Sequence, residues 1–342
     1  MSWHTKRKII VFQSDDWGAA RMHSKKSYEV LLKKGYPVDK CPYNANDRIE
    51  NNDDLDCLTE TLLKYKDINN NPANFTLNTI MSNPDFEKIR AANFQEFFYE
   101  DFHKTIGKYQ DSNRVVTSYK EGIQNKIFTP QLHGREHLNV RLWMERLQKK
   151  EKRTLEAFDQ NMFALTDNGI VGGRRGNLDA YGNYNLVGTL YNYENNIAEA
   201  QAMFNRFYSF KSSTFIAPCY VWNPELEKIL LKNDIQGIQS THVQKSPLKM
   251  GYDFKRIYHF TGQSNKFGQN YLVRNVNFEP TENPKVDVVN QALLQINTAF
   301  KFKSPAIICS YRVYFIGSLN PRNRKQGIGK LIISPLLEQL LR

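Results

Sequence analysis

The sequence predicts an α/β protein in which a parallel sheet, open or closed into a barrel, is covered by helices. Segments with strand-type and helix-type patterns alternate almost to the end of the chain, which is typical of parallel sheets. The strand-type segments are short and apolar, as expected for strands buried on both faces. No internal repeat or low-complexity linker divides the 342 residues. We therefore expect one domain that spans residues 1–342 and carries long loops.

Local signals define the elements of the first half of the chain. The run at 8–13 is apolar and β-branched and stops at a polar stretch with a glycine, which predicts a strand. Asp53 or Asp54 can cap the helix that we predict at 55–65. In chain order we then predict a helix at 24–34, a loop at 39–56, a helix at 55–65, a strand at 74–81, a helix at 86–108, a strand at 126–129 and a helix that ends near residue 150.

The second half continues the same alternation. A stretch rich in Gly, Asn and Tyr at 172–185 predicts a loop between two helices. The predicted elements are helices at 155–166 and 186–210, a strand at 213–218, a helix at 224–232, strands at 235–239 and 271–276, a helix at 286–302, a strand at 306–309 and a closing helix at 329–341.

Composition excludes several classes of protein. With 40% hydrophobic and 13% aromatic residues, the chain is too apolar to be disordered. No segment approaches the roughly 18 apolar residues of a membrane-spanning helix. The basic start is followed by only four apolar residues, too few for a secretory signal. The four cysteines lack CxxC spacing, which indicates reduced thiols. We expect a cytoplasmic protein.

The chain carries 47 Lys and Arg against 35 Asp and Glu, and 47 − 35 gives a net charge of +12. Such a charge suits an anionic partner such as a phosphorylated metabolite or an acidic glycan. The basic residues are scattered rather than clustered, whereas a nucleic-acid footprint is usually a stripe. We therefore expect no direct binding of nucleic acid.

Two adjacent carboxylates, Asp15 and Asp16, lie just past the carboxyl end of the first predicted strand. Sheets and barrels of α/β proteins place their active sites at this edge. An isolated Asp-Asp pair is also common in turns and helix caps. The pair alone therefore does not identify a site.

His133 and His137 are four residues apart at a predicted strand-to-helix junction. On a helix this spacing puts both imidazoles on one face, about 5 to 6 Å apart at Cβ, and two such rings can bind one metal ion. With seven histidines in the chain, a chance pair of this spacing is expected only about 0.14 times. A two-histidine site needs a third ligand, usually a carboxylate. Asp15-Asp16 could supply it.

Together these motifs resemble those of the polysaccharide deacetylase family, carbohydrate esterase family four with its NodB-homology domain. Ser-Asp-Asp-Trp-Gly at 14–18 resembles the first family motif, Thr-Phe-Asp-Asp-Gly, and His-Gly-Arg-Glu-His at 133–137 resembles the second, HxxxH. Ile-Ala-Pro-Cys-Tyr at 216–220 lies where the third motif, Arg-x-Pro-Tyr-Gly, would fall. The stretch 306–311 lies where the last motif, a strand ending in Leu-x-His, would fall.

The resemblance implies a distorted (β/α) barrel and metal-dependent hydrolysis of an acetamido sugar. By position, it implies that Asp16, His133 and His137 bind a divalent metal ion, most often zinc in that family. It also implies that Asp15 is the general base and that the backbone N–H of Cys219 is the oxyanion donor. These roles are chemically coherent, because a metal ion lowers the pKa of water while a nearby carboxylate accepts its proton.

Two departures from the family pattern concern the third motif. Its arginine, which in the family orients the catalytic aspartate, is replaced by Ile216, and its aromatic residue is displaced to Tyr220 or Trp222. We expect these two aromatic residues to contact the substrate, together with Cys219 and Arg312.

A third departure concerns the general acid. Tyr311 aligns with the last motif's histidine, which in the family protonates the leaving amine. A phenol has an unperturbed pKa near 10 and is poorly matched to neutral pH. Either Tyr311 or its neighbour Arg312 substitutes, or His242 or His259 reaches in from another loop, or the protein keeps the metal and has lost fast turnover.

The leading hypothesis is a cytoplasmic metal-dependent hydrolase that removes an acetyl group from an N-acetylated sugar or a nucleotide- or lipid-linked glycan precursor. The first alternative is a non-catalytic glycan-binding or scaffolding protein on the same barrel. The second is another metal-assisted hydrolase, such as an esterase or a deaminase-like enzyme. Substitution of Asp15 distinguishes an enzyme from a binder, because only an enzyme would lose turnover.

Overall fold

The computed structural model describes residues 3–67, 69–165, 178–183, 186–248, 253–283 and 285–333, with the side chains of 186–192 and 332–333 not described. These ranges contain twelve strands: β1 Ile10–Trp17, β2 Phe75–Thr79, β3 Ser82–Pro84, β4 Tyr99–Asp101, β5 Phe128–Leu132, β6 Thr214–Ile216, β7 Gly237–Ser240, β8 Val243–Pro247, β9 Phe254–Tyr258, β10 Asn270–Val273, β11 Val276–Asn277 and β12 Ala306–Tyr311. Eight of them form one sheet in the order β10-β7-β6-β5-β2-β1-β12-β11, and all its pairings are parallel.

The two edge strands of this sheet are consecutive in the chain, and this closes the sheet into a barrel. Only Arg274 and Asn275 separate β10 from β11, so the two edges lie within about 11 Å of each other. The Arg274 N–H donates to the Ser240 carbonyl (2.8 Å) on one side of the seam, and the Asn275 N–H donates to the Ile307 carbonyl (3.0 Å) on the other. The predicted distorted (β/α) barrel is confirmed.

In the part of the chain that the structure describes, twelve α-helices connect and cover the strands: α1 Lys25–Lys33, α2 Pro42–Asn46, α3 Asn52–Leu63, α4 Phe86–Ala91, α5 Phe102–Gly107, α6 Val115–Gln124, α7 Val140–Gln148, α8 Lys152–Phe158, α9 Leu186–Tyr208, α10 Leu226–Lys232, α11 Val288–Lys301 and α12 Pro321–Ile333. Their starts follow from capping chemistry. Ser24 caps α1, and Asn51 and Asp54 form a capping box on α3. Among these helices none is long and apolar enough to cross a membrane.

The strands form where apolar side chains can be buried on both faces of the sheet. Phe12 of β1 stacks on Phe75 of β2, with ring centroids 4.4 Å apart, and both rings are buried. Burial of one such side chain stabilises the fold by about 1.5–3 kcal/mol. The same strands carry polar side chains at their carboxyl ends, so the barrel supports a polar site at one end of an apolar interior.

Several predicted elements differ from the structure. The predicted helix at 86–108 is wrong in its middle, because the chain forms α4, then β4 paired with β3, then α5. The aromatic residues of this stretch pack on two separate clusters, which a single helix could not reach. Sequence patterns also missed α6 and the antiparallel β8–β9 hairpin. Most of the predicted loop at 172–185 and the end of the predicted closing helix lie outside the described residues.

Candidate metal and catalytic site

A pocket opens at the carboxyl ends of the barrel strands. β1, β5, β6 and β12 each end at it, as expected for an α/β barrel. Its lining residues are Asp15, Asp16, Arg21, His133, His137, Ala217, Cys219, Tyr220, Lys245 and Tyr311. Seven of the nine residues that the sequence analysis assigned to catalysis, metal binding or substrate contact thus line one pocket.

Asp15 and Asp16 both reach this pocket because β1 bulges there. Between Ser14 and Trp17, β1 advances three residues while β2 advances two. Asp16 has a positive φ of 74°, a conformation that aspartate tolerates better than most residues. A regular strand would send adjacent side chains to opposite faces. The bulge therefore directs both carboxylates to one site. Both residues lie within the end of β1, and not past it as the sequence predicted.

Asp16, His133 and His137 place three metal-donor atoms close together. Asp16 Oδ1 lies 3.4 Å from His133 Nε2 and 3.3 Å from His137 Nε2, and all three side chains are buried. Ligands bound about 2.0 to 2.2 Å from one zinc ion in tetrahedral geometry are separated by about 3.3 to 3.6 Å. The histidines do not share a helix face. They lie in the irregular segment between β5 and α7, with ring centroids 5.2 Å apart.

The chemistry of the donor set fits a cation. His133 Nδ1 lies 2.9 Å from the Ile216 carbonyl, which can only accept, so Nδ1 carries the proton. Nε2, the other ring nitrogen, then faces the Asp16 carboxylate. A backbone carbonyl that orients a metal-binding histidine in this way is a common outer partner in metal sites. Three acceptor atoms that face one another are stabilised by a positive charge between them.

Arg21 supplies a positive charge to this cluster. Its Nη2 donates to Asp16 Oδ1 at 2.9 Å and to His137 Nε2 at 3.2 Å, while its Nε lies 3.1 Å from Asp47 Oδ2. The guanidinium also lies over the Tyr43 ring, 4.8 Å from its centroid. Sequence reasoning missed Arg21, because nothing in its local pattern distinguishes it from the other basic residues.

The electrostatics of the cluster follow from burial and from Arg21. Burial alone would raise the pKa of Asp16, but Arg21 and the two histidines together hold that pKa well below its usual range. Burial, with Arg21 adding to it, lowers the pKa of His137 well below its usual value. Asp16 is therefore ionised and His137 neutral at pH 7, the forms in which both can bind a metal ion.

Asp15 is held by a second buried arginine, Arg274. The two guanidinium Nη atoms donate to the two carboxylate oxygens at 2.7 and 2.6 Å, and Asn78 Nδ2 donates to Oδ1 at 2.7 Å. Arg274 lies on the seam of the barrel, and its Nε donates to Gln13 Oε1 at 2.8 Å. An arginine thus orients Asp15 although none stands at position 216, and it comes from the segment between β10 and β11. The order of motifs could not reveal it.

Tyr220 and Tyr311 form a hydrogen-bonded pair beside Asp15. Their hydroxyl oxygens are 3.1 Å apart, and Arg274 Nη1 donates to the Tyr220 hydroxyl at 3.0 Å. Burial, aided by Cys309, raises the pKa of Tyr311 well above 10. Burial also raises the pKa of Tyr220. Both phenols are therefore protonated at neutral pH. Cys219 and Tyr220 each have a φ of 58°, which turns the chain sharply after β6.

The structure does not bring Trp222 and Arg312 to the pocket. The Trp222 indole N–H donates to buried Glu227 at 3.1 Å, inside the core. The Arg312 guanidinium is fully buried and bonds to Asp47 and Glu50, each at 2.6 Å. Both side chains therefore bond to groups inside the protein, away from the pocket to which they were predicted to contribute.

The two other histidines that the sequence offered as acids also do not line the pocket. His259 is buried and stacks on Tyr271, with ring centroids 3.7 Å apart, and its Nε2 lies 2.7 Å from Gln244 Oε1. His242 is exposed. Among the candidates for the acid, only Tyr311 is placed at the pocket.

Stability of the metal-free protein is expected to fall as the pH is lowered from about 6.5. His137 stays neutral in the folded protein because burial lowers its pKa, whereas in the unfolded chain it takes up a proton below about pH 6.5. The unfolded state then binds more protons, so the free energy of unfolding decreases by up to about 1.4 kcal/mol per pH unit from this group. Urea unfolding at pH 7.5, 6.5 and 5.5 in the presence of a chelator measures it. His137→Asn should flatten the dependence, and an unchanged slope would contradict the assignment.

No family model matches the chain, and no curated protein matches it in sequence. Among solved structures, it is similar to a protein of Mycobacterium smegmatis provisionally described as a polysaccharide deacetylase, with 8% identity, a TM-score of 0.39, and coverage of 99% of this chain and 92% of that one. A polysaccharide deacetylase from Bacillus cereus has 11% identity and a TM-score of 0.36, covering 84% and 68%.

A 4-alpha-glucanotransferase from Thermococcus litoralis has 8% identity and a TM-score of 0.34 over 69% of this chain, which spans 22% of that protein's length. These identities and scores are too low to assign the chain to a family. The class of protein is defined by the molecule itself, as an α/β barrel with a buried Asp–His–His cluster at the carboxyl ends of its strands.

Proposed function

We infer that the protein is a metal-dependent hydrolase that removes an acetyl group from an N-acetylated sugar or a glycan precursor. The observation that carries this inference is the convergence of the donor atoms of Asp16, His133 and His137 beside a second carboxylate, Asp15, in one pocket. A helix cap or a solvated turn would explain either aspartate alone. Neither explains why both are buried beside two histidines.

The roles of the metal-binding residues follow from their chemistry. Asp16, His133 and His137 would hold a divalent ion, for which zinc is the first choice because of its preference for imidazole with carboxylate. When bound, such an ion polarises the substrate carbonyl and lowers the pKa of water. His133 is oriented for this task by the Ile216 carbonyl.

Asp15 has one lone-pair position, on Oδ2, at which it can accept a proton from the pocket. An ionised carboxylate has about four lone-pair positions. Arg274 and Asn78 occupy two on Oδ1, and Arg274 occupies one on Oδ2. Within the described residues the remaining position, on Oδ2, is not used, and Asp15 lines the pocket. Asp15 therefore serves as the general base towards water in the pocket, with its orientation fixed by Arg274.

Tyr311 is the proposed proton donor to the leaving nitrogen. Arg274 can only donate, so the Tyr220 oxygen accepts from it and the Tyr220 proton is available to Tyr311, 3.1 Å away. Tyr311 can then direct its own proton into the pocket. Its raised pKa keeps it protonated, although it makes the phenol a weak acid at neutral pH. Proton delivery would therefore limit the rate.

The substrate is proposed to carry a negative charge. Arg21 and Arg274 are neutralised by aspartates, whereas Lys245, which is half-buried in the pocket lining, forms no ion pair among the described residues. A phosphorylated or acidic N-acetylated sugar would complement this unmatched ammonium group. The protein's net charge of +12 supports the same class of substrate.

Metal content tests the proposed function. We expect about one equivalent of zinc per chain in the reloaded protein and a loss of it in Asp16→Asn and His133→Ala, because each change removes one of three protein ligands. Mass spectrometry of the desalted protein measures this. His259→Ala is the matched control, since it removes a buried histidine outside the pocket. Absence of stoichiometric metal from the wild type, or its retention in both variants, would reject the hydrolase mechanism.

A substrate panel then separates the reaction classes. Loaded protein is assayed on N-acetylated amino sugars, with and without a phosphate, and on sugar O-acetyl esters, with released acetate as the readout. Release from amides supports the deacetylase. Release from esters alone supports the esterase reading, and binding of glycans without any release supports the glycan-binding protein.

A further inference from the structure

The Asp–His–His cluster already contains a cation of the protein itself. Arg21 Nη2 contacts two of the three donor atoms, Asp16 Oδ1 at 2.9 Å and His137 Nε2 at 3.2 Å. We propose that Arg21 and a divalent metal ion compete for this site, so that metal can enter only when the Arg21 guanidinium leaves His137 and turns to Asp47. The inference rests on the metal site of the proposed function.

The competition follows from the hydrogen-bonding chemistry of His137. A guanidinium has only donors, so His137 Nε2 must offer its lone pair to Arg21. An imidazole nitrogen has one lone pair in the ring plane, and the same lone pair would bind a metal ion. The two interactions therefore exclude each other.

Charge repulsion acts in the same direction. A metal ion about 2.0 to 2.2 Å from both Asp16 Oδ1 and His137 Nε2, which are 3.3 Å apart, would lie at most about 4 Å from the present position of Arg21 Nη2. A divalent and a monovalent cation at this distance repel strongly in a buried site. Arg21 must therefore move when metal binds.

Asp47 offers the place to which Arg21 can move. Its Oδ1 already accepts from Arg312, but its Oδ2 has no hydrogen-bond partner among the described residues, although Arg21 Nε is 3.1 Å away. Arg21 Nε likewise lacks an aligned acceptor. The present arrangement thus leaves two buried polar atoms imperfectly paired. A turn of the guanidinium towards Asp47, with Arg21 still lying over Tyr43, would pair them.

Zinc affinity tests the proposal. The dissociation constant is measured by competition with a chromophoric chelator for the wild type, Arg21→Met and Arg48→Met. Arg48 is the matched control, because it also pairs with an aspartate, Asp111, and lies over a tyrosine, Tyr109, and because, although it follows Asp47 in the chain, it does not line the pocket. We expect Arg21→Met to bind zinc at least about tenfold more tightly, and Arg48→Met to match the wild type within about twofold. Equal or weaker binding by Arg21→Met overturns the proposal.

Two further measurements keep the outcomes distinct. His133→Ala in the Arg21→Met background must abolish zinc binding. If the double variant loses zinc binding but Arg21→Met binds zinc no more tightly than the wild type, the competition is rejected while the metal site stands. If no protein binds zinc, the proposed function and the competition both fail. If Arg21→Met does not fold, the arginine Nε–Hε resonances in the NMR spectrum of the wild type provide the test. Zinc should shift the Arg21 resonance and leave the Arg48 resonance in place. An Arg21 resonance that zinc does not shift rejects the proposal.

Discussion

Asp15→Asn is expected to lower kcat for deacetylation by about 10²- to 10⁴-fold while zinc remains bound. The change removes the proton acceptor on Oδ2 but leaves Asp16, His133 and His137 intact. Steady-state release of acetate and metal content of the same preparation measure the two properties. A non-catalytic glycan-binding protein would show no turnover to lose and would retain glycan affinity in this variant.

Loss of a buried ion pair could by itself reduce activity, so a matched variant is needed. Asp54→Asn removes another buried carboxylate, one that accepts from Arg324 at 2.9 Å and lies outside the pocket lining. It is expected to destabilise the protein while kcat changes less than about threefold. Turnover by Asp15→Asn within about threefold of the wild type would remove Asp15 from the mechanism.

Arg274→Met and Arg312→Met are both expected to lower the free energy of unfolding by about 3–5 kcal/mol. Each change leaves one buried carboxylate without its guanidinium partner, Asp15 in the first case and Glu50 in the second, where Asp47 keeps only Arg21. Only Arg274 orients the proposed base, so only Arg274→Met should also reduce kcat, by about tenfold or more. Urea unfolding and single-turnover assays on the folded fraction separate the two effects.

Arg312 was also a candidate for substrate binding, and the same pair of variants tests that interpretation. Because its guanidinium is fully buried among Asp47, Glu50 and the Ala19 carbonyl, we expect the KM of folded Arg312→Met to stay within about twofold of the wild type. A large rise in KM with unchanged stability would restore Arg312 as a substrate contact. If Arg312→Met lowered kcat as much as Arg274→Met does, the effect of Arg274 on kcat would not be specific to its contact with Asp15.

Much of the fold could be predicted because its signals are local. Apolar, β-branched runs such as those at 8–13 and 306–309 form strands, and Ser24 begins α1 by capping orphan N–H groups. The cap of α3 was predicted at Asp53 or Asp54 and is Asn51, with Asp54 completing the capping box. The prediction failed at 86–108, where aromatic residues have a helical spacing but serve two separate clusters. Local propensity was there overridden by tertiary packing.

The chemistry of the site divides in the same way. The sequence by itself determined that two aspartates and two histidines stand where strands end, because residue type and spacing are local properties. Only the tertiary structure decided how they meet: the bulge in β1 turns Asp15 and Asp16 to one pocket, and the irregular segment after β5 brings His133 and His137 to Asp16.

The two arginines of the site could be found only in three dimensions. Arg274 lies 259 residues from Asp15 and reaches it because the barrel closes at the seam between β10 and β11. Arg21 is close to Asp16 in the chain, yet its contact with His137 spans 116 residues. Charged residues that pair across such separations leave no local pattern in the sequence. They are brought together by the hydrophobic burial that closes the barrel, and not by their own attraction.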